Sequence, residues 1–138
     1  MKGSAGTKFS LKQRFKSFRY AINGILLGFR TQHNFRIHIA AFSLVVIAGI
    51  FFRISTIEWC LLLIVSALVM CFELINSAIE MLVDQVSPEY NEKAGMIKDL
   101  SAAAVLLSAI FAAAAGVFIF CKPIVEILSV SSIFNLIK

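Results

Sequence analysis

Three carboxylates and one amide recur at helical spacing in the middle of the chain. They are Glu73, Asn76, Glu80 and Asp84, at positions i, i+3, i+7 and i+11 of an uninterrupted segment. At about 100° and about 1.5 Å per residue, these positions form a stripe roughly 80° wide and about 16 Å long on one face of a helix. Carboxylates gathered in this way can accept a proton from a substrate or hold a divalent cation.

The polar stripe follows directly on an apolar run. Residues Trp59 to Phe72 carry no charge, and they predict a membrane helix that continues through Val83. Ionisable groups at membrane depth cost about 2.5–3.5 kcal/mol each on insertion scales, so they face the protein interior or water and usually mark function. Asn76 and Ser77 have a second interpretation, because small polar residues also hold membrane helices together. That role does not require acidic groups that repel one another.

The composition indicates an all-α membrane protein of one domain. Hydrophobic residues make up 59% of the 138 residues and charged ones only 15%, which is too apolar for an ordinary soluble fold. The apolar residues form three blocks: Ile37–Phe52, Trp59–Phe72 with its extension, and Leu100–Cys121. The first is about 24 Å long as a helix and the last about 33 Å, against a hydrocarbon core of about 30 Å. Three transmembrane helices are therefore predicted.

An amphipathic helix is predicted before the first span. From Leu11 to Arg30 the aromatic and aliphatic side chains share one face and most cations the other, as in a helix that lies on a membrane surface. A soluble helix that packs on a partner protein is the alternative. Tyr20 interrupts the cationic face and either reaches a ligand or sits as an interfacial aromatic. Residues 1–10 are predicted to be disordered, 11–121 to form the membrane domain, and 122–138 to form a C-terminal tail without an assigned role.

The distribution of charge predicts the orientation. The net charge is +5, and residues 1–36 hold eight of the thirteen Lys and Arg and no Asp or Glu. This asymmetry fits the positive-inside rule and attraction to anionic lipids better than it fits nucleic-acid binding. The N-terminus and the loop from Asp84 to Asp99 are therefore expected on the cytoplasmic side, with the polar stripe. No cleavable signal peptide is expected, since residues 1–36 are polar and basic.

Two further places offer charged or polar groups to a ligand. Arg36, just before the first span, either anchors a lipid headgroup or phosphate, or extends along the helix to the interface. At the start of the third span Asp99 favours the helix N-terminus, but the cation of Lys98 opposes the helix dipole there and needs another explanation. Ser87-Pro88 and Gly95 indicate a short turn between them, and its polar residues are either solvated or ligand-binding: Glu89, Tyr90, Asn91 and Glu92.

The residues of the stripe and of the following loop resemble a known family. The pattern Glu73-x-x-Asn76-Ser77-Ala78-Ile79-Glu80-x-x-x-Asp84, then Ser87-x-Glu89-Tyr90, then Lys98-Asp99-x-x-Ala102-Ala103-Ala104-Val105 is similar to the bacterial membrane-embedded diacylglycerol kinase and undecaprenol kinase family. A looser similarity extends from about Phe15 to Phe120. The resemblance implies a homotrimeric lipid kinase of the bacterial cytoplasmic membrane that uses ATP and Mg²⁺, with active sites shared between subunits.

The resemblance also implies roles for individual residues. Glu73 would be the general base on the lipid hydroxyl, with Asn76 beside it and Arg36 toward the lipid substrate. Glu80 would hold Mg²⁺, and Gln32 stands where the family usually has a second, metal-binding Glu near the entrance to the first span. The nucleotide would be bound by a larger set of residues: Tyr20, Glu80, Glu89, Tyr90, Asn91, Glu92, Lys93, Lys98 and Asp99.

The lipid substrate and one other class of function stay open at this stage. The segment Asn34 to His38 is more similar to the undecaprenol kinases, whereas Asn76-Ser77 in place of Asn-Thr is nearer the diacylglycerol kinases, and undecaprenol is preferred.

A small proton- or ion-coupled transporter could use the same carboxylates. Transporters commonly show inverted repeats and broken helices with polar groups near the membrane midplane, whereas this sequence has no internal repeat and its polar groups lie toward one end of a span. A non-catalytic membrane scaffold would leave the acidic stripe unexplained.

Overall fold

Four helices make up the described part of the chain. The computed structural model describes residues 11–89 and 91–136, which form α1 (Leu11–Thr31), α2 (His33–Phe52), α3 (Thr56–Val86) and α4 (Glu92–Leu136). No strand occurs in these described ranges. The predicted all-α class is therefore confirmed, while the prediction for residues 1–10 lies outside the described residues.

Three of the helices are long and apolar enough to cross a membrane. The qualifying segments are His33–Phe52, Thr56–Val86 and Glu92–Ser129, which confirms the three predicted spans. The first span is longer than its apolar block because α2 starts directly after Gln32, whose extended backbone (φ −101°, ψ 115°) separates it from α1. The predicted amphipathic segment is a helix, α1, and its position on a membrane surface stays a prediction.

The turn between α2 and α3 is built from local hydrogen bonds. Arg53 adopts the left-handed conformation (φ 52°, ψ 48°), and the N–H groups of Arg53 and Ile54 donate to the carbonyls of Ile50 and Gly49, 3.2 and 3.1 Å away. This is the Schellman arrangement that ends many helices. Ser55 then caps α3 in a capping box with Glu58, whose Oε2 accepts from the Ser55 N–H at 2.7 Å. These caps hold the two spans in an antiparallel hairpin.

A second short connection joins α3 to α4. The Ser87 N–H donates to the Val83 carbonyl at 2.8 Å and ends α3. Asn91 lies one residue before α4, and its Oδ1 accepts from the N–H groups of Lys93 and Ala94 at 2.9 and 3.4 Å. Asn91 is thus the N-cap of α4. Because the connection is short, the C-terminal end of α3 lies beside the N-terminal end of α4.

Helix α4 extends well beyond the predicted span. A separate tail was expected after Cys121, whereas the helix continues through Pro123 as far as Leu136. Proline removes one backbone hydrogen bond and usually kinks or ends a helix in water. Membrane helices tolerate proline because neighbouring groups satisfy the freed carbonyl.

The packing brings α3 and α4 together along most of the bundle, with α1 and α2 against α3. The buried residues of α3 lie on one face: Leu62, Val69, Glu73, Asn76 and Ser77. Glycines of α1 and α2 allow these helices to approach α3 closely, near Leu74 and near Trp59. A Cβ atom at Gly49 would lie 2.8 Å from Trp59 Cη2, and one at Gly28 would lie 2.6 Å from Leu74 Cδ2. The core of this chain therefore includes the polar residues of the stripe.

Candidate active site

The polar stripe of α3 runs from the protein interior to the surface. Glu73 is 2% exposed and Asn76 5% exposed, Glu80 is half-buried and Asp84 is exposed. The predicted common face is therefore confirmed for the first two residues, and the exposure rises toward the C-terminal end of α3. The Glu73 carboxylate is therefore surrounded by protein, whereas the Asp84 carboxylate, on the same helix, is exposed.

Asn76 connects the stripe to α4. Its Nδ2 donates to Glu80 Oε1 at 2.9 Å, and its Oδ1 accepts from Ser101 Oγ at 2.6 Å. Both ends of the amide are thus used, and the contact with Glu80 sets its orientation, because a flipped amide would place an acceptor oxygen against the carboxylate. Ser101 Oγ also lies 2.8 Å from the Lys98 carbonyl. Since a hydroxyl has one hydrogen, that carbonyl competes with Asn76 for it.

Lys98 pairs with the outer end of the stripe. Its Nζ forms a salt bridge with Asp84 Oδ1, and both side chains are substantially exposed. Exposed pairs contribute only about 0–1 kcal/mol to stability. The helix dipole disfavours a cation at the N-terminal end of α4, and the salt bridge with Asp84 offsets this effect for Lys98. The salt bridge also places the Lys98 ammonium group near the carboxylates of α3. Together with Ser101 it makes two polar links between α3 and α4.

The surroundings of Glu73 come from two helices. His38 of α2 and Glu80 of α3 are the titratable groups whose charges act on the Glu73 carboxyl. Ser77 Oγ donates to the Glu73 backbone carbonyl at 2.9 Å, which satisfies the serine hydroxyl inside its own helix. A buried carboxyl group can exchange a proton with a hydroxyl group that is bound beside it.

The residues predicted to bind nucleotide lie around the α3–α4 connection, except Tyr20. Glu89, Glu92, Lys93 and Asp99 are exposed, Asn91 caps α4, and Tyr90 lies outside the described residues. The backbone carbonyl of Glu89 accepts from Ser87 Oγ at 3.3 Å. Tyr20 is an exposed residue of α1, with Lys16 Nζ 5.8 Å from its ring centroid. The structure brings Lys98 to the stripe, to which Glu80 also belongs, and the other described members of the set share only a surface-exposed position.

Gln32 lies between α1 and α2 and faces α3. It is half-buried and lines a groove of about 380 Å³ together with Ser77 and Met81 of α3. Its side chain makes no capping hydrogen bond to α2. Arg36 is exposed one turn further along, and its N–H donates to the Gln32 carbonyl at 3.4 Å. The α3 residues of this groove are centred about 100° around the helix from the stripe, so Gln32 lies beside the neighbouring face of α3.

The donor set was compared with the needs of Mg²⁺. Within residues 11–89 and 91–136, no three His, Cys, Asp or Glu side chains are grouped closely enough to hold a metal ion. Mg²⁺ commonly takes one or two carboxylates, several waters and substrate phosphates rather than a complete protein cage. The Glu80 carboxylate is a ligand of the right chemistry for a metal that arrives with a phosphate, whereas the Gln32 amide lines the groove on the neighbouring face of α3.

Two residues of the site were missed by the sequence analysis. Ser101 follows Lys98 by three residues, and this spacing places it on the same face of α4. His38 entered the sequence analysis only as the end of the segment from Asn34, although a histidine inside an apolar span is itself an unusual group. The spacing of Ser101 and the position of His38 can both be read from the sequence. The group that each of them acts on lies on another helix, and the sequence does not show which one.

The chain is similar to a known family of enzymes. Residues 19–120 match the family model described as prokaryotic diacylglycerol kinase. A diacylglycerol kinase of Synechocystis sp. is 40% identical over 113 residues, which cover 81% of this chain and 65% of that relative. The undecaprenol kinase of Bacillus subtilis is 36% identical over 110 residues, which cover 80% of this chain and 89% of that relative. The diacylglycerol kinase of Escherichia coli is 35% identical over 97 residues.

Proposed function

Because the chain belongs to the prokaryotic diacylglycerol kinase family, a family of lipid kinases, we propose that it transfers the γ-phosphoryl group of ATP to the primary hydroxyl of a membrane lipid. The observation that carries this proposal is the position of Glu73, which is 2% exposed on a helix long enough to cross a membrane. From there the stripe of polar side chains leads along the same helix to the exposed end of α3. A lipid hydroxyl and a water-soluble nucleotide can approach the stripe from its two ends.

In the proposed reaction Glu73 is the general base. Its carboxylate accepts the proton of the lipid hydroxyl as the hydroxyl oxygen forms a bond with the γ-phosphorus of ATP. The bond between that phosphorus and the bridging oxygen of ADP breaks, and ADP leaves. Phosphoryl transfer needs little covalent chemistry from the protein, so positioning and charge neutralisation supply most of the rate.

The outer part of the stripe is proposed to hold the nucleotide. Mg²⁺, when bound between Glu80, Gln32 and the phosphates, would neutralise charge on the transferring group. Lys98 adds a second positive charge, which its contact with Asp84 keeps near α3. The other proposed nucleotide contacts are those implied by the family pattern: Tyr20, Glu89, Tyr90, Asn91, Glu92, Lys93 and Asp99. Of these, Asn91 would act through its backbone or through the position of α4, since its amide oxygen caps the helix.

We further propose a homotrimer in the bacterial cytoplasmic membrane, with the stripe toward the cytoplasm. Many large apolar side chains are exposed on this single chain, among them Leu100 (72%), Phe111 (69%) and Phe118 (83%). Such faces need lipid or another copy against them. The basic N-terminal segment supports the cytoplasmic orientation, where ATP is found. Undecaprenol is the preferred lipid, on the pattern from Asn34 to His38.

The proposal is tested with the purified chain in mixed micelles that contain radiolabelled ATP and Mg²⁺. Diacylglycerol and undecaprenol are offered in competition, and the labelled lipid products are separated. We expect one of them to be phosphorylated, with undecaprenol preferred. Labelling of neither lipid at any ratio of lipid to detergent would contradict the kinase proposal for this chain.

The same assay tests the base. Glu73→Gln keeps the size of the side chain and removes the proton acceptor, so kcat should fall by about 10²–10⁴-fold. Glu126→Gln is the matched control, because Glu126 is exposed near the other end of α4, and its kcat should be unchanged. If Glu73→Gln retains kcat within a few-fold of wild type, Glu73 is not the general base.

A further inference from the structure

Helix α4 continues beyond the part of the chain that matches the family. The family match ends at residue 120, whereas α4 ends at Leu136. The uncharged part of α4, from Leu100 to Cys121, is about 33 Å long, which is close to the thickness of a hydrocarbon core, about 30 Å. Residues 123–136, which we call the extension of α4, therefore lie beyond the hydrocarbon core.

The extension starts at the level where α2 and α3 meet in their turn. Phe120 contacts Phe52, the last residue of α2, with ring centroids 5.9 Å apart. The charge of Lys122 acts on the carboxyl group of Glu58, near the start of α3. Past this level, residues 124–129 are all exposed. The hairpin of α2 and α3 therefore leaves this part of α4 uncovered.

The described part of the extension has an apolar side and a polar side. At about 100° per residue, Ile124 and Ile127 lie within about 60° of each other around the helix. The polar side chains lie on the opposite side, about 140–200° away from Ile124: Lys122, Glu126 and Ser129. Ser129 Oγ donates to the Glu126 carbonyl at 2.8 Å, so this hydroxyl is satisfied within its own helix. The extension is thus an amphipathic helix whose apolar side is exposed.

The apolar side continues a stripe that α4 exposes inside the membrane. Leu106, Ile110, Val117 and Ile124 lie within about 40° of one another around the helix, and all four are exposed. Ile110, Val117 and Ile124 are β-branched and recur every seven residues, and Ile127 follows three residues later, which is the spacing of two parallel helices that pack side by side. Within the hydrocarbon core, lipid can cover this stripe. The extension lies among headgroups and water, where covering it requires protein.

A second copy of the chain is the partner that fits this surface. The distribution of Lys and Arg orients every copy in the same way across the membrane. The extensions of two copies are therefore parallel, and each presents Ile124 and Ile127 at the same height. Because Lys122 and Glu126 lie on the opposite side, packing the two apolar sides together buries neither charge.

We propose that the extension of α4 packs in parallel against the extension of a second copy of this chain, with Ile124 and Ile127 in the contact. The contact does not require the lipid kinase activity. It gives the copies a surface for association outside the hydrocarbon core, in a segment that lies outside the family match.

The first test places one cysteine at a time in the full-length chain. Cys60, Cys71 and Cys121 are replaced by alanine, and Ile124→Cys and Glu126→Cys are compared in native membranes under mild oxidation. We expect a disulfide-linked dimer for Ile124→Cys, because bridged Cβ atoms must approach to about 3.5–4.5 Å, and little or none for Glu126→Cys on the polar side. Equal crosslinking of the two variants, or none for Ile124→Cys, would overturn the proposal.

A second test measures association without a crosslink. Two differently labelled samples of the chain are mixed in micelles, and energy transfer between copies gives their dissociation constant. Replacing both Ile124 and Ile127 by serine should raise this constant by about tenfold or more, because the contact loses two apolar side chains. The matched control replaces Lys122 and Glu126 by serine and should leave the constant unchanged. Equal constants for the two double variants would contradict the contact.

The membrane surface is the other occupant, and it gives a different result. A fluorophore attached at Ile124→Cys is quenched strongly by lipids with a nitroxide on the acyl chain if the helix bends at Pro123 and lies on the bilayer. We expect weak quenching, and strong quenching overturns the proposal. These readouts do not use catalysis, so a chain that phosphorylates no lipid still tests the contact. An active oligomer without the Ile124→Cys crosslink would refute the contact alone.

Discussion

Removing the hydroxyl of Ser101 should disturb the site without touching a proposed catalytic group. In Ser101→Ala the Oδ1 of Asn76 loses its donor from α4, and Asn76 is 5% exposed, so water cannot readily replace it. The amide is then free to rotate away from Glu80, to which its Nδ2 donates. Ser101 is accordingly a positioning residue for the stripe.

The size of the effect follows from the contact. A neutral hydrogen bond contributes about 0.5–1.5 kcal/mol net, and such bonds between membrane helices average about 0.6 kcal/mol, with a maximum near 1.7 kcal/mol. We expect the free energy of unfolding in mixed micelles to fall by about 1 kcal/mol. If the same energy is lost in the transition state, kcat/KM for lipid phosphorylation falls by roughly fivefold.

The chain offers a matched control on the same helix. Ser108 is half-buried like Ser101, but its Oγ donates only to the Val105 carbonyl, at 2.7 Å. Ser108→Ala should change stability by less than about 0.5 kcal/mol and leave kcat/KM unchanged, and Ser101→Thr, which keeps a hydroxyl, should restore most of the activity. Equal effects of Ser101→Ala and Ser108→Ala would refute this role, and so would additive stabilities of Ser101→Ala and Asn76→Ala within about 0.3–0.5 kcal/mol.

Two further predictions concern α1 and the metal. Gly28→Val should destabilise the protein by about 1 kcal/mol, because a Cβ there would lie 2.6 Å from Leu74 Cδ2 and the Leu74 side chain must turn aside. Gly24→Val, with nothing within 4 Å, should not have this effect, and equal unfolding free energies would contradict the prediction. Gln32→Glu should lower the Mg²⁺ concentration for half-maximal activity, because Mg²⁺ prefers a carboxylate oxygen. This gain should disappear in Glu80→Gln, and an equal gain with and without Glu80 would show that the two residues share no metal.

The helices and the common face of the stripe could be predicted because both depend on local sequence. Apolar length defines a span, and a spacing of three, four and seven residues defines a face. Lys98 was also recognisable as unusual, because its charge opposes the helix dipole. Asn91 carries a signal that was not used, since an Asn just before a helix is a common N-cap, and the structure uses it as one.

The contacts between helices could not be predicted in the same way. The sequence places Ser101 on the Lys98 face of α4, but the register of α4 against α3 decides that it meets Asn76. That register depends on packing and on the length of the α3–α4 connection, which the helical period of either segment does not contain. The extent of α4 was also missed, because Pro123 ends helices in water more readily than in a membrane.

The geometry of α3 assigns Asn76 a specific place in the proposed reaction. Glu73 and Glu80 are seven residues apart, which separates their Cα atoms by about 10.5 Å along the helix. A lipid oxygen held by Glu73 and a phosphate held through Glu80 can form a bond only between these two levels. Asn76 occupies that interval, with its Nδ2 directed to Glu80 and its Oδ1 bound to Ser101. In the proposed reaction this amide would orient the Glu80 carboxylate and offer a polar group at the level where the transfer takes place.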